Sequence, residues 1–283
     1  MKILCCGDVV GRSGRDCIKQ YIPKLRSDLA LDFVMLNGEN AAHGFGINPT
    51  HCREFFDLGV DVITSGNHIW DQKEIIDYIQ GESRLLRPSN YPEGTPGKGV
   101  IKCQLKDGRE ILILNIMGRL FMDPLDDPFN AVEKELQNVR LGEDVAAIVV
   151  DFHAETTSEK NAMGNFLDGR VSIVFGTHTH IPTSDTRILS GGTGYQTDLG
   201  MCGDYDSVIG MNKDSAISRF RKKIPSQRLT PADNESTLCA IYADLNDENG
   251  LVKEITPIRV GGLLTNTGYP SPDYCPKIAI LGF

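Results

Sequence analysis

Long apolar segments are missing from this chain of 283 residues. The first apolar run, residues 3–6, stops at Gly7, and no later stretch approaches the ~20 apolar residues of a membrane span. The first run is also too short for the apolar centre of a signal peptide. We therefore expect a cytoplasmic protein without a membrane partner.

Closely spaced cysteine pairs are missing as well. Eight cysteines occur, but none forms a Cys-x-x-Cys pair, and only Cys5 and Cys6 are neighbours. Neighbouring side chains on a strand point to opposite faces, whereas a zinc site with thiolate ligands needs cysteines that chelate one ion. We expect the cysteines to be reduced, buried residues of the core.

Basic residues are outnumbered by acidic ones. Lys and Arg total 29 and Asp and Glu total 38, which gives a net charge of −9. Such a surface is unlike the basic face that generic DNA or RNA binding requires. One local basic cluster is either a solvated loop or a patch that steers a nucleotide or an RNA end. Its members are Lys213, Arg219, Arg221, Lys222, Lys223 and Arg228.

The order of the predicted elements indicates an α/β fold. Short β-rich runs alternate with helical patterns through the first two thirds of the chain, which predicts βαβ units with parallel strands. Residues 99–105 and 110–116 flank an Asp-Gly turn and predict a hairpin, and residues 238–245 and 251–260 predict a second antiparallel pair. The sheets should therefore be mixed. Because the sequence shows no repeat and no low-complexity linker, we expect a single domain over residues 1–283.

Metal-capable side chains follow nearly every predicted strand. Four of the six histidines fall in these short segments, which we expect to be turns. A single such residue is commonly a helix cap or a hydrogen-bonded structural histidine. Because the carboxyl ends of strands in an open α/β sheet lie side by side, five such segments should meet in one crevice. The segments are Gly7-Asp8, Asn37-Gly38-Glu39-Asn40, Ser65-Gly66-Asn67-His68, Asp151-Phe152-His153 and Gly176-Thr177-His178-Thr179-His180.

The donors in these segments are carboxylates, amides and imidazoles without a thiolate, a set that suits Mn²⁺, iron or Zn²⁺. Their number exceeds what one ion needs, and the carboxylate of Glu39 is able to bridge two ions. On an extended segment, His178 and His180 would share one side and serve neighbouring ions. We expect two metals ~3.5–4 Å apart that hold a hydroxide for in-line attack on phosphorus, and hence phosphoester hydrolysis.

These motifs resemble those of the calcineurin-like metallophosphoesterases and, within that superfamily, the YmdB-type phosphodiesterases. The resemblance covers the whole chain and implies a four-layer α/β/β/α sandwich with the metal site at one end. Two departures from the superfamily pattern are features of the YmdB-type branch. Val10 stands where the Asp-x-His motif has its histidine, so Asn40 is expected to replace that ligand, and Glu39 stands where the bridging residue is normally Asp.

The resemblance also implies a role for each site residue. The ligands implied for one metal ion are Asp8, Glu39, Asn40 and His180, and those implied for the other are Glu39, Asn67, His153 and His178. His68 is expected to stay outside both coordination shells and to protonate the leaving alkoxide as a general acid. The alternative for His68 is a structural cap after the third predicted strand. Iron or manganese is the expected metal, and zinc would also accept these ligands.

The same resemblance implies a phosphodiesterase that acts on 2′,3′-cyclic nucleotides. Residue spacing alone indicates only phosphoester hydrolysis, so a phosphomonoesterase or nucleotidase is an open alternative. A second alternative is a regulatory protein that acts mainly through contacts with RNA or with a protein of RNA turnover. The sequence leaves open whether the chain forms a homo-oligomer.

Overall fold

The computed structural model describes residues 1–222 and 228–268. The strands are β1 (Lys2–Val9), β2 (Phe33–Asn37), β3 (Val62–Thr64), β4 (Val100–Gln104), β5 (Glu110–Met117), β6 (Ala147–His153), β7 (Ile173–Thr177), β8 (Arg187–Ile188), β9 (Gly194–Gln196), β10 (Met201–Asp204), β11 (Ser236–Leu245) and β12 (Val252–Val260). The helices are α1 (Gly11–Asp28), α2 (Pro49–Asp57), α3 (Ile75–Gly81), α4 (Pro128–Leu136), α5 (Thr157–Phe166) and α6 (Lys213–Lys222). Within the described residues, none of the helices combines the length and the apolar content needed to cross a membrane.

The strands form two six-stranded sheets, in the orders β12-β11-β10-β1-β2-β3 and β4-β5-β6-β7-β9-β8. In the first sheet, β1 is parallel to β2 and β10, while β11 is antiparallel to β12. In the second sheet, β5, β6 and β7 are parallel, while β4 is antiparallel to β5. The predicted hairpin and the predicted late antiparallel pair are confirmed, and both sheets are mixed.

Side chains along the central strands alternate between two cores. In β1, Cys5 faces the core between the two sheets, and Cys6 faces the core that α1, α2 and α3 cover. In β6, Val149 faces the core between the sheets, and Val150 packs with residues of α4 and α5. Because strands that are buried on both faces need a cover on each side, helices flank both sheets. This arrangement confirms the predicted four-layer α/β/β/α sandwich.

The cysteines of the described residues are free thiols, and all except the half-buried Cys103 are buried. Burial raises the pKa of the thiols of Cys5, Cys6 and Cys202, so these thiols stay protonated. The expectation of reduced core cysteines is confirmed for these residues. Cys275 lies outside the described part of the chain.

The first strand is longer than predicted and carries Asp8 inside it. After a shift of register next to Gly7, the strand goes on pairing, with Asp8 beside Asn37 of β2 and Met201 of β10. At Gly7 a Cβ atom would lie 1.8 Å from the carbonyl oxygen of Gly200, so the close approach of β1 to Gly200 requires glycine. The expectation that Asp8 follows the strand in a turn is wrong, because pairing on both sides extends the strand through it.

Candidate metal centre

The predicted site residues come together at one end of the sandwich, and both sheets contribute to the group. The residues from the first sheet are Asp8 in β1, Glu39 and Asn40 after β2, and Asn67 and His68 after β3. The residues from the second sheet are His153 at the end of β6, and His178 and His180 after β7. The sequence predicts His153 in a turn, but β6 pairs with its neighbours as far as this residue.

The middle of the group is the imidazole of His153. Its Nε2 atom lies 3.1 Å from Oε1 of Glu39, 3.1 Å from Oδ1 of Asn67 and 3.1 Å from Nδ1 of His178. One ligand atom from each of Glu39, His153 and His178 falls within 4.8 Å of the others, which is a spacing that a metal ion can use. An anion, an amide oxygen and two imidazoles therefore converge on one point.

A second set of donors lies on the other side of Glu39. The Nδ2 atom of Asn40 lies 3.2 Å from Oε1 of Glu39 and 3.1 Å from Nε2 of His180. Rotation of this amide by about 180° would place Oδ1 where Nδ2 lies, because the oxygen and nitrogen of an amide are told apart by their hydrogen bonds. The Nδ1 atom of His180 lies 2.8 Å from the carbonyl oxygen of Ile209 and donates to it, so Nε2 is the nitrogen left to bind a metal ion.

Asp8 carries the clearest sign that the group needs a cation. Its Oδ2 atom accepts a hydrogen bond from the backbone N–H of His178 at 3.2 Å. Its Oδ1 atom is buried, lies 3.9 Å from Nδ1 of His153, and has no hydrogen-bond partner among the described residues. A buried carboxylate oxygen without a partner is costly. The donor set and this orphaned oxygen fit a bound metal.

The pKa values of the site residues are shifted by burial and by the charges of their neighbours. Burial is the main reason why the pKa of Asp8 is well above its usual range. Burial also opposes ionisation of Glu39, but attraction to His153 outweighs it and lowers the pKa of Glu39 to about 2. Burial alone would lower the pKa of His153, yet the charge of Glu39 raises it to about 9. Burial and the neighbouring His153 lower the pKa of His178 to about 3. The buried carboxylates thus favour positive charge at this point of the site, which is the charge that a metal ion supplies.

Buried polar residues hold His153 from behind. The Thr177 hydroxyl donates to Oδ1 of Asp151 at 2.7 Å and lies 2.9 Å from Nδ1 of His153. Because the hydroxyl hydrogen is used on Asp151, Thr177 accepts from Nδ1–H, and Nε2 is left facing Glu39 and Asn67. Asp151 also accepts from Asn37 at 3.1 Å and from Thr64 at 2.5 Å. Asn37, Asp151 and Thr177 belong to the polar segments of the sequence, but the sequence predicts no role for them. Thr64 is not among the residues singled out from the sequence. Polar residues inside apolar strands are a signal of such support.

Segment 178–180 is not extended, contrary to the prediction from the sequence. His178 and His180 have left-handed backbone conformations, with φ of 95° and 66°. The Oδ2 atom of Asp198 accepts from the backbone N–H of Thr179 at 3.2 Å and from Nζ of Lys160 at 2.6 Å. Because the buried Lys160 neutralises Asp198, this carboxylate can hold the turn in a shape that non-glycine residues avoid.

His68 lies at the edge of the group. Its Nδ1 atom is 2.8 Å from Oδ2 of Asp71, and its backbone N–H donates to Oε2 of Glu39 at 3.0 Å. The ring packs edge-on against Phe45, with the ring centroids 5.2 Å apart. Since Nδ1 is engaged by Asp71, Nε2 is the nitrogen available to exchange a proton.

A cavity of about 320 Å³ opens beside the group. Its polar lining includes Glu39, Asn40, His68, His178 and His180. Its apolar lining, called the apolar wall below, consists of Phe45, Ile209, Met211 and Leu229. A site of this volume suits a small-molecule ligand.

The structure divides the basic cluster of the sequence. Four members lie on helix α6, namely Lys213, Arg219, Arg221 and Lys222, and Lys213 pairs with Asp206 at 2.7 Å. The guanidinium carbon of Arg228 lies 6.0 Å from the centre of the ring of Phe45, one of the residues that line the cavity. Lys223 lies outside the described residues.

The chain matches a known protein family over most of its length. The model of the YmdB-like protein family matches residues 4–258. The chain is 45% identical over 260 residues to the 2′,3′-cyclic-nucleotide 2′-phosphodiesterase of Bacillus subtilis (strain 168), covering 92% of this chain and 97% of that protein. A hypothetical protein from Thermus thermophilus shares the fold with a TM-score of 0.86 and 40% identity, over 93% of this chain and 100% of that one. A novel phosphatase from Mycoplasma pneumoniae gives a TM-score of 0.86 and 33% identity, over 92% of this chain and 93% of that one. The chain therefore belongs to the YmdB-like protein family.

Proposed function

We propose that this protein is a metal-dependent phosphodiesterase that hydrolyses 2′,3′-cyclic nucleotides. The observation that carries the proposal is the convergence of carboxylates, amides and imidazoles around Glu39 and His153, beside the orphaned oxygen of Asp8. The Bacillus subtilis relative supports the substrate class, since it is named for the hydrolysis of such nucleotides.

The two clusters of donors support two metal sites that share Glu39. The proposed ligands of one ion are Asp8, Glu39, Asn40 and His180, and those of the other are Glu39, Asn67, His153 and His178. The ligand types fit iron or manganese, and zinc would also be accepted. When bound, two such ions supply positive charge to the phosphoryl oxygens and lower the pKa of water.

The chain's own residues have separate tasks in the proposed reaction. Thr177 and Ile209 fix the tautomers of His153 and His180, so that Nε2 of each ring faces the centre. His68 donates a proton to the leaving alkoxide of the ribose, and Asp71 holds its ring in position. An alkoxide leaves poorly without a proton, so an acid at this position assists the cleavage of ribose phosphate esters in general. The choice of a diester substrate rests on the Bacillus subtilis relative.

The cavity supports a small nucleotide as the substrate. The single domain over residues 1–283, the cytoplasmic location, the RNA or RNA-turnover partner and the homo-oligomer stay predictions from the sequence. A phosphomonoesterase or nucleotidase is the alternative, and nucleoside monophosphates are the next substrates to measure if the metal-loaded wild type does not cleave 2′,3′-cyclic AMP.

The test is the turnover of 2′,3′-cyclic AMP by Mn²⁺-loaded protein, measured beside Asp8→Asn and Glu39→Gln. We expect both variants to lose metal and turnover, because each removes a buried anionic ligand. Asp107→Asn, in the exposed turn between β4 and β5, is the matched control and should keep both. Full turnover and full metal content in Asp8→Asn or Glu39→Gln would refute the metal centre.

A further inference from the structure

The side chains of the apolar wall have no task in phosphoester hydrolysis, since Ile209 serves His180 only through its backbone carbonyl oxygen. Hydrolysis needs charges and mobile protons, and the polar lining around Glu39 and His68 supplies them. Apolar side chains beside a reaction centre instead bind the part of the substrate that does not react. The apolar wall therefore indicates the kind of group that the phosphate carries.

Phe45 is fixed in the wall by a tight turn. The backbone N–H of Ala42 donates to the carbonyl oxygen of Gly46 at 2.8 Å, and that of Phe45 donates to Ala42 at 3.0 Å. The side chain of Gln72 closes the turn from outside by donating to the carbonyl oxygen of Phe45 at 2.7 Å. Gly44 and Gly46 have φ of 83° and 80°, so the turn depends on glycine on both sides of the aromatic residue. The ring is thus held in place before any ligand arrives.

The surroundings of the ring suit a flat, electron-rich ligand next to a phosphate. Phe45 is half-buried, with its ring edge-on to His68 and part of its surface in the cavity. The exposed Arg228 adds a positive charge 6.0 Å from the ring centre, although the chain as a whole carries a net charge of −9. Aromatic rings combined with an arginine are the usual means of holding unstacked bases.

We propose that Phe45 is the stacking surface for the nucleobase of the substrate, an inference that rests on the proposed hydrolysis of 2′,3′-cyclic nucleotides. The other side chains of the wall, Ile209, Met211 and Leu229, are apolar and do not read the hydrogen-bonding edge of a base. Selection should therefore follow stacking area. Purine nucleotides are preferred to pyrimidine nucleotides, and all four bases are accepted.

The test compares a nucleotide with a substrate that has the same reacting group and no base. The substrates are 2′,3′-cyclic AMP and methyl riboside 2′,3′-cyclic phosphate, each with wild type, Phe45→Ala and Phe45→Tyr. We expect Phe45→Ala to lower kcat/KM for 2′,3′-cyclic AMP by roughly 5- to 150-fold, mainly through KM, as for other lost base–aromatic stacks. The loss on the base-free substrate should be much smaller, because that substrate has no base to stack, and Phe45→Tyr should keep nucleotide activity because it keeps the ring.

Two results would overturn the assignment of Phe45 while leaving the proposed function intact. An equal loss on both substrates would mean that Phe45 acts by supporting His68, and no loss on either would place the base elsewhere. A wild-type protein that cleaves neither substrate would overturn the proposed function and this inference together. Phe121→Ala, at an exposed ring outside the cavity, is the control for aromatic truncation. If Phe45→Ala fails to fold, Phe45→Leu makes the same comparison with a smaller void.

Discussion

At the scale of single residues, the proposed acid chemistry depends on the pair of His68 and Asp71. The distance of 2.8 Å between Nδ1 and the carboxylate keeps the ring oriented and makes Nε2 the nitrogen that exchanges a proton. Loss of a metal ligand should slow hydrolysis whatever the leaving group is, whereas loss of a proton donor should slow only those substrates whose leaving group needs a proton. A ribose alkoxide needs a proton in order to leave, whereas a nitrophenolate leaves without one.

We expect His68→Ala to lower kcat for 2′,3′-cyclic AMP by about 10²–10⁴-fold, the usual contribution of a general acid. The loss on bis(4-nitrophenyl) phosphate should be much smaller. Asp71→Asn acts through His68, so it should show the same dependence on the leaving group with a smaller loss. His51→Ala, on α2, is the control. Steady-state kinetics on both substrates measure these losses of kcat. Equal losses on the two substrates in His68→Ala would contradict the role of His68 as a general acid.

At the scale of elements, the site depends on where β1 runs. The strand passes so close to Gly200 that a side chain at Gly7 has no room. This close passage lies next to Asp8, which pairs with Met201 of β10. The neighbouring atom is a backbone oxygen, which cannot turn away as the end of a flexible side chain can.

Gly7→Ala should lower the free energy of unfolding by about 1–3 kcal/mol, the usual cost of overpacking a closed interior. Gly81→Ala, at the end of α3, is the control, since a Cβ atom there would meet none of the described residues within 4 Å. Urea unfolding followed by circular dichroism compares the two variants with wild type. An unchanged unfolding midpoint for Gly7→Ala would show that β1 can move away from Gly200 without cost.

The elements also show how far the sequence alone could lead. Glu39 and Asn67 follow strands as the alternating pattern predicts, because hydrophobic runs mark strands and polar residues mark their ends. The left-handed turn at His178 and His180 was not predictable, since its shape depends on a contact with Asp198 that tertiary packing creates. The role proposed for Phe45 was hidden for the same reason, because an aromatic residue between glycines carries no signal of what it faces.

At the scale of the whole molecule, the candidate centre joins the two sheets. Asp8 and Glu39 belong to the first sheet, whereas His153 and His178 belong to the second. The buried Asp151 of the second sheet is also hydrogen-bonded to Asn37 of the first. Metal bound at this point would therefore hold the two halves of the sandwich together, in addition to the core between them.

Removal of metal should consequently destabilise the entire fold. A ligand that binds only the folded state stabilises it by about 2.7 kcal/mol at 100 times its Kd. We expect EDTA to lower the Tm of wild type, whereas Glu39→Gln, without the shared carboxylate, should melt at nearly the same temperature in Mn²⁺ and in EDTA. Differential scanning calorimetry makes the comparison. A wild-type Tm that does not respond to the chelator would argue against metal shared between the sheets.

The two linings of the cavity come from different parts of the architecture. The polar lining is built on strand ends that belong to both sheets, whereas Phe45 lies on a short turn held by backbone hydrogen bonds and by the side chain of Gln72. Relatives can therefore diverge in the side chain at this turn without rebuilding the reactive end of the sandwich. A change of preferred substrate during evolution would then need few mutations, and exchange of residues 42–46 between relatives is the natural place to begin redesign.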